Sequence, residues 1–565
     1  MEASILLNLL KMREKNKEQS KSYGRQAAKS SCKSRQEGGG HKHRSGFKTA
    51  AGLGLALSML LTLSGPGIAF ARQGDSGYEG GISSGETPSV GTGTTTSKAV
   101  YQYQEPVFLT GVPIVMSGDL TITKRLSTNA KTNVQTLTTT YIYALQNTGS
   151  NSRLARNLTF VTAITAKSNG QKTESTQLTR ATETVTIDGT TYRIADLNDY
   201  SLSKAITNDY KPAVNYFAGT LSSRKTYHVG TATNTDTVIV ETSGKYVGYD
   251  EYWSTAEAQI LTQYVSQAKP GKALVQIGIV NMDISTTTRK DLQYYENQPE
   301  QISFEGGYIL SQYNENVLKY TAKLSELDRN KAPTTKVNTY TNSLKLESYP
   351  VKDALVAPNL KQIKGHPQEK AMSKMFALEA YGNTLKFDPQ EYMSRSEYVD
   401  AFVKVAKTVP LDPVFAPKKT TRTTKPANIV SSFSDVPASS TYMDSINEAA
   451  ERGIISGNGE SQFRPEALIT VAEAVTMMVN SLGLSGLAPN PAPVTSFKDN
   501  DQIPSYARAS IYVAEKLGLI SEDAKGYIHP NDRITKAKAA EMMESFIDYM
   551  GSGIREEYMD RLLSY

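Results

Sequence analysis

Three stretches near the C-terminus repeat one another, and the repeat limits what this chain can fold into more than any other feature. In each, a proline is followed five residues later by a hydroxyl side chain: Pro389 and Ser394, Pro465 and Thr470, Pro530 and Thr535. The second unit reads Phe433-Ser-Asp435-Val-Pro437, then a helical pattern with Ile446, Ala450 and Ile454 on one face. Gly453-Ile-Ile-Ser-Gly457, Phe463-Arg-Pro465 and Ile469-Thr-Val-Ala-Glu473 follow, the last leading a second helix. The third keeps the order with Phe497-Lys-Asp499, Gly518-Leu-Ile520, His529-Pro530 and Ile534-Thr-Lys-Ala-Lys538. The first is worn but legible in Ile363-Lys-Gly-His366, Phe387-Asp-Pro389 and Met393-Ser-Arg-Ser-Glu397. The units span about 359–407, 430–484 and 495–550. A helix, a turn and a second helix cannot bury their own apolar faces, so the three units are expected to pack on one another.

Much of this pattern is structural. Ser394-x-x-Glu397 and Thr470-x-x-Glu473 have the form of capping boxes, in which the hydroxyl accepts from the N3 amide and the Glu reaches back to the N-cap amide. Gly453, Gly457 and Gly518 suit helix C-termini. Arg395 and Lys536 do not fit that account, because a cation in the first turn opposes the positive end of the helix dipole. A basic side chain beside exposed first-turn amides predicts an anion site.

Phe-x-Asp-Val-Pro, Gly-Ile-Ile-x-Gly, Phe-x-Pro and Ile-Thr-x-Ala-Glu, repeated in this order, resemble the surface-layer homology (SLH) domain over residues 359–550. The resemblance implies a compact, three-lobed, mostly helical module that docks non-covalently on an anionic secondary cell-wall polysaccharide, usually a pyruvylated one. It also implies that the basic residue of the Thr-Arg-Ala-Glu motif meets the acidic sugar substituent. Carried onto this chain, the candidate ligand-binding residues are Arg395 and Lys536, with Ser394, Thr470, Thr535, Lys538, Asp435 and Asp499 around them; Ser394, Glu397, Thr470 and Glu473 are the expected caps. The chain departs from the pattern at Val471, where a cation is expected, at Lys538, where an acid is expected, and at Pro367, where an aromatic is usual.

The N-terminus points to export. Residues 1–50 carry twelve Lys/Arg against four Glu, residues 51–71 carry no charge, and Ala50–Leu63 is strongly apolar before Ser64-Gly-Pro-Gly67 breaks it. Ala69-Phe-Ala71 then offers small residues for cleavage before Arg72. Basic, apolar and small in that order describe a signal peptide over 1–71, with no membrane span left after cleavage. Beyond residue 71 the balance is 50 basic to 52 acidic residues, unlike a nucleic-acid binder. The one cysteine, Cys32, lies upstream of the cut, so thiol catalysis and Cys-ligated metal are excluded from the exported product.

Residues 72–98, almost all Gly, Ser, Thr and Glu, read as a flexible linker. From 99 to 350 the texture is β, with runs such as Leu137–Ala144 and Val238–Thr242 and a strand over Ala273–Ile284. Asp188-Gly189 between alternating segments predicts a type I′ hairpin. Ala256–Val265 and Val317–Leu327 are the best helix candidates in this region. The fold class is therefore multidomain: an all-β, sandwich-like ectodomain of one or two β domains, then the helical repeats.

His228 is the one histidine of the β region, which leaves His-rich zinc sites out and a Ser–His–Asp triad with a single candidate. Trp253, in Tyr249-Asp-Glu-Tyr-Trp253, is expected in the core. No Gly-rich phosphate loop or EF-hand occurs, so no cofactor is indicated; scattered acids could hold Ca²⁺, but no spacing demands it. The reading is a non-enzymatic, wall-anchored surface protein whose ectodomain is a coat, adhesive or surface-lattice element, self-association included. The alternative is an SLH-anchored polysaccharide hydrolase, which needs only two carboxylates at set spacing. An outer-membrane β-barrel fits less well, because lipid-facing strands with aromatic girdles are missing.

Overall fold

The computed structural model describes residues 79–85, 96–129, 134–167, 170–230, 236–295, 307–328, 331–358, 360–382, 386–407, 431–458, 460–491 and 493–554. The expected signal peptide and Cys32 lie outside these residues. No helix among them is long and apolar enough to cross a membrane.

The β region is one antiparallel sheet. Its strands are β1 (Ile82–Ser83), β2 (Thr96–Val107), β3 (Ile114–Thr128), β4 (Gln135–Asn147), β5 (Ser152–Ala166), β6 (Gln171–Ile187), β7 (Thr190–Ile194) and β8 (Tyr200–Tyr210). They continue with β9 (Val214–Val229), β10 (Thr237–Glu251), β11 (Ser254–Ala268), β12 (Val275–Tyr295), β13 (Gly307–Leu327), β14 (Pro333–Glu347) and β15 (Val351–Val356). Neighbours in sequence are neighbours in the sheet, with two exceptions: β7 and β8 both fill the slot between β6 and β9, and β15 pairs with β13. The β6–β7 turn is the expected type I′, with Asp188 at φ 45° and Gly189 at φ 75°. The all-β content holds, but the strands join one continuous ladder instead of two separate sheets.

The sheet curls on itself. Inward-facing Tyr103, Tyr141, Phe160, Tyr200, Tyr246, Leu261, Val280 and Leu318, drawn from β2 through β13, share one core. Phe108, just past β2, meets Tyr320 of β13 edge to face with ring centroids 5.3 Å apart. In β5 the alternation is plain: Arg153 and Ala155 are exposed while Leu154 and Arg156 are buried.

Two helix expectations fail here. Ala256–Val265 lies in β11 and Val317–Leu327 in β13. In β13, Leu318, Tyr320, Ala322 and Leu324 are buried while Lys319, Thr321 and Lys323 point out, a period of two that pairing with β12 and β14 enforces.

The linker reading also needs revision. Within 72–98, residues 79–83 are buried inside the curled sheet and Thr96–Lys98 already belong to β2. Ile82 and Ser83 are fully buried, and Asn316 of β13 donates 2.8 Å to the Ser83 carbonyl. The glycines there permit close approach instead of flexibility: a Cβ on Gly81 would stand 1.9 Å from the Tyr103 hydroxyl. Glu79 accepts from Tyr200 (2.5 Å) and Ser223 (3.0 Å), and Lys225 lies 3.4 Å away. Beside it, Arg156 donates twice to Glu105 and once to Glu183, each at 2.7 Å. Burial works to raise Glu183, but Arg156 and Lys225 prevail and hold it at about 2.

Among the described residues the α-helices are α1 (Glu369–Ala377), α2 (Arg395–Ala406), α3 (Met443–Glu451), α4 (Val471–Leu482), α5 (Arg508–Leu517) and α6 (Lys536–Asp548), two per repeat. Their core is continuous with one end of the sheet through Val214, Tyr249, Trp253, Ala256 and Leu310. Trp253, on the β10–β11 turn, is buried as expected and donates 3.1 Å from Nε1 to the Val405 carbonyl of α2. Ala213 donates to the Ser481 carbonyl at 2.9 Å, and Tyr308 to that of Lys370 at 2.9 Å. At the same junction Ser254 Oγ lies 2.7 Å from Glu251 Oε1, 2.6 Å from the Met550 carbonyl and 3.1 Å from the Tyr249 hydroxyl. Burial pushes Glu251 up to about 8.

Candidate functional site

The residue before each repeated hydroxyl links the units in a ring. Met393 N–H donates to the Ile534 carbonyl (3.0 Å), Ile534 to Ile469 (3.1 Å) and Ile469 to Met393 (3.1 Å). The capped helices α2, α4 and α6 start from that ring. Ser394 and Thr470 form the two expected capping boxes with Glu397 and Glu473, whereas Thr535 accepts from the Lys538 amide alone. Thr470→Ala should therefore lower stability by about 1 kcal/mol, measured by urea unfolding, with α4 the element that frays.

The five-residue interval now has a physical reason. The second helical amide of each unit donates to the proline carbonyl of the next: Ser396 to Pro465 (3.1 Å), Ala472 to Pro530 (2.8 Å) and Ala537 to Pro389 (3.0 Å). The first amides do likewise, Arg395 to Ala467, Val471 to Asp532 and Lys536 to Glu391. With the third amide on the cap hydroxyl, the first-turn N–H groups are occupied by the protein itself. The exposed amides expected beside Arg395 and Lys536 are thus satisfied across the junctions between units, which is how the chain meets the orphan donors of a helix start.

The two cations lie in the same junctions. Arg395 of the first unit donates from Nε to the Phe463 carbonyl (2.9 Å), pairs with Glu473, and stands 4.9 Å over the Phe463 ring. Lys536 of the third pairs with Glu391 of the first and stands 5.6 Å over the Phe387 ring. The cations are 14% and 16% exposed; Glu391 is 53% exposed and brings the Lys536 pair to the surface, whereas Glu473 is 25% exposed and the Arg395 pair is largely buried. Val471 takes the corresponding place in the second unit and is buried.

The other candidates divide by position. Lys538 is at the surface, 3.0 Å from Glu541. Asp435 and Asp499 clamp the Phe-x-Pro-like loop of their own unit: Asp435 accepts from the Phe463 (2.8 Å) and Arg464 (2.7 Å) amides, and Asp499 from that of His529 (2.7 Å). Desolvation opposes the charge on Asp435, yet those two amides keep it below the usual carboxylate range. In the β region, His228 lies 2.9 Å from Asp199, at the end of β9.

Three contributors escaped the sequence. Glu391, the ion-pair partner of Lys536, lies between Pro389 and Ser394, and the fixed interval drew attention to its ends only. Tyr506 is 57% exposed and lies near Thr470, Glu473 and Arg395. Tyr392 is 51% exposed and bridges backbone to backbone with Thr535.

A family model described as the S-layer homology domain matches residues 432–475 and 496–540, the second and third units. The chain is 34% identical over 119 residues to an S-layer protein of Bacillus thuringiensis subsp. finitimus, covering 20% of this chain and 13% of that protein. It is 34% identical over 118 residues to S-layer protein sap of Bacillus anthracis, again 20% and 13%. An amylopullulanase of Thermoanaerobacterium thermosulfurigenes is 30% identical over 122 residues, 21% of this chain and 6% of the enzyme. The chain thus matches only a small part of each relative's length. With two such domains, matched in S-layer proteins over the same kind of short stretch, the chain is an S-layer homology domain protein of the cell surface.

Proposed function

We propose that the three units act as one three-lobed module that holds the protein non-covalently on an acidic, pyruvylated secondary cell-wall polysaccharide, with the β sheet as a structural or adhesive coat element. The observation that carries this reading is the placement of Arg395 and Lys536 at two unit junctions, each beside an aromatic ring and a partly exposed acid. An acidic sugar substituent would take the place of Glu473 or Glu391 against the cation, a charge-assisted exchange that leaves the backbone ring intact. Ser394, Thr470 and Thr535 fix the helix starts, Asp435 and Asp499 fix the loops, and Lys538 adds positive potential at the third junction. Self-association of the sheet into a surface lattice is the further part of this reading.

The hydrolase alternative is less favoured. Glu105 and Glu183, a close carboxylate pair, share Arg156 inside the sheet and are buried, where no glycan reaches them.

The test is binding of the chain lacking residues 1–71 to purified walls, with and without their acidic polymer. Lys536→Ala should weaken binding about tenfold, the scale of one charge-assisted contact. Glu391→Gln should strengthen it several-fold, because the competing carboxylate is gone. Equal retention on stripped walls, or weaker binding by Glu391→Gln with the fold intact, would sink the proposal.

A further inference from the structure

The outer face of β8–β11 carries a groove of about 440 Å³ that the anchoring role does not use. Strand register sets its lining in two adjacent rows across four strands. One row is Ser201, Arg224, Glu241 and Tyr264; the next is Ser203, Ser222 and Ser243. Leu202, Ser223 and Thr242, between the rows on β8, β9 and β10, also line the groove although they are largely buried.

The serines make the groove. Outward positions elsewhere in this sheet favour threonine, as at Thr136, Thr138 and Thr140 of β4 and Thr182, Thr184 and Thr186 of β6. Threonine is the better strand former. At Ser201, Ser203, Ser222 and Ser243 the chain gives up that preference at four contiguous sites. The surface sinks there, and Arg224, Glu241 and Tyr264 stand at its margin. Arg224 Nε lies 3.5 Å from Glu241 Oε1 with both side chains about half exposed, and Tyr264 is 42% exposed.

We propose that this groove binds a neutral oligosaccharide. A sugar ring offers an apolar C–H face and neighbouring hydroxyls that both donate and accept. Tyr264 supplies a ring for the first. Arg224 as donor, Glu241 as acceptor and the serine hydroxyls as either supply partners for the second. The Arg224–Glu241 pair sums to zero charge, so an acidic sugar or a phosphate gains little from Arg224 that Glu241 does not oppose. An added peptide strand is also disfavoured, since the backbone of β8–β11 is already paired within the sheet. The site is independent of Arg395 and Lys536 and does not rest on the wall-anchoring reading.

The experiment is calorimetry on the chain lacking residues 1–71 with three probes: chitotetraose, cellotetraose and a polygalacturonate oligomer. At least one neutral probe should bind and the acidic one should not. Tyr264→Ala should weaken the neutral probe about fivefold to tenfold, the scale of one ring contact. Ser222→Thr with Ser243→Thr should also weaken it, while thermal stability stays level or rises because threonine suits a strand. Lys536→Ala should leave it unchanged. No binding by either neutral probe, preference for the acidic one, or full binding in the double threonine variant would each overturn the assignment.

Discussion

Arg156→Met should destabilise the protein by about 3–5 kcal/mol, seen as a lower urea midpoint. The guanidinium is sealed in the curled sheet, where it donates to Glu105 and Glu183. Removing it strands two buried carboxylates, of which Glu183 keeps Lys225 at 3.7 Å. Burial, which already opposes the charge on Glu183, would then dominate and raise it from about 2. A triple replacement, Arg156→Met with Glu105→Leu and Glu183→Leu, should recover most of the loss, since a buried ion cluster replaced by apolar side chains is often neutral. A triple variant as unstable as the single one would show that side-chain shape, and not stranded charge, sets the cost.

The junction between sheet and helices should loosen as pH rises, and Glu251 is the reason. The Ser254 hydroxyl has one proton to give and two acceptors, Glu251 Oε1 and the Met550 carbonyl, within 2.7 Å. Both are served only when Glu251 carries a proton, donates to Ser254 Oγ and leaves the serine to donate to Met550. The Trp253 amide donates to Glu251 Oε2 in either state (2.7 Å), Tyr249 lies beside Ser254, and Lys290 favours the ionised form. Folded Glu251 titrates at about 8 against an ordinary value of 4.5. The folded state therefore holds more protons between these values. The proton-linked stability is full below pH 4.5, declines by about 1.4 kcal/mol per unit, and is gone above about 8. Glu251→Gln, which keeps a donor and an acceptor and cannot titrate, should flatten that slope. Trp253 is the single tryptophan of the chain and sits in this junction, so its fluorescence reports the change directly. Parallel pH curves for the two proteins would show that Glu251 does not carry it.

What the sequence made legible was local. The Asp188-Gly189 hairpin and the Ser394 and Thr470 boxes each depend on residues within a few positions of one another, and each formed as read. The proline-to-hydroxyl interval was visible too, but its cause was not, because the acceptor for each helix start belongs to a different unit. The same limit hid the partners of Arg395 and Lys536. In Val317–Leu327 the apolar residues fit two periods, and only the flanking strands decide between them. Composition misled most at residues 79–83: glycines that signal a loose tether also admit a backbone where no side chain fits, and the distant Tyr103 ring decides which applies.

That threaded segment has a bearing on how the protein comes to be made. Ser83 waits for Asn316, 233 positions later, and Ser254 waits for Met550, 296 positions later. Contacts so remote along the chain form late and slowly. The earliest stretch of the sheet to leave the ribosome is thus among the last to be locked, and until β13 arrives its slot has no wall.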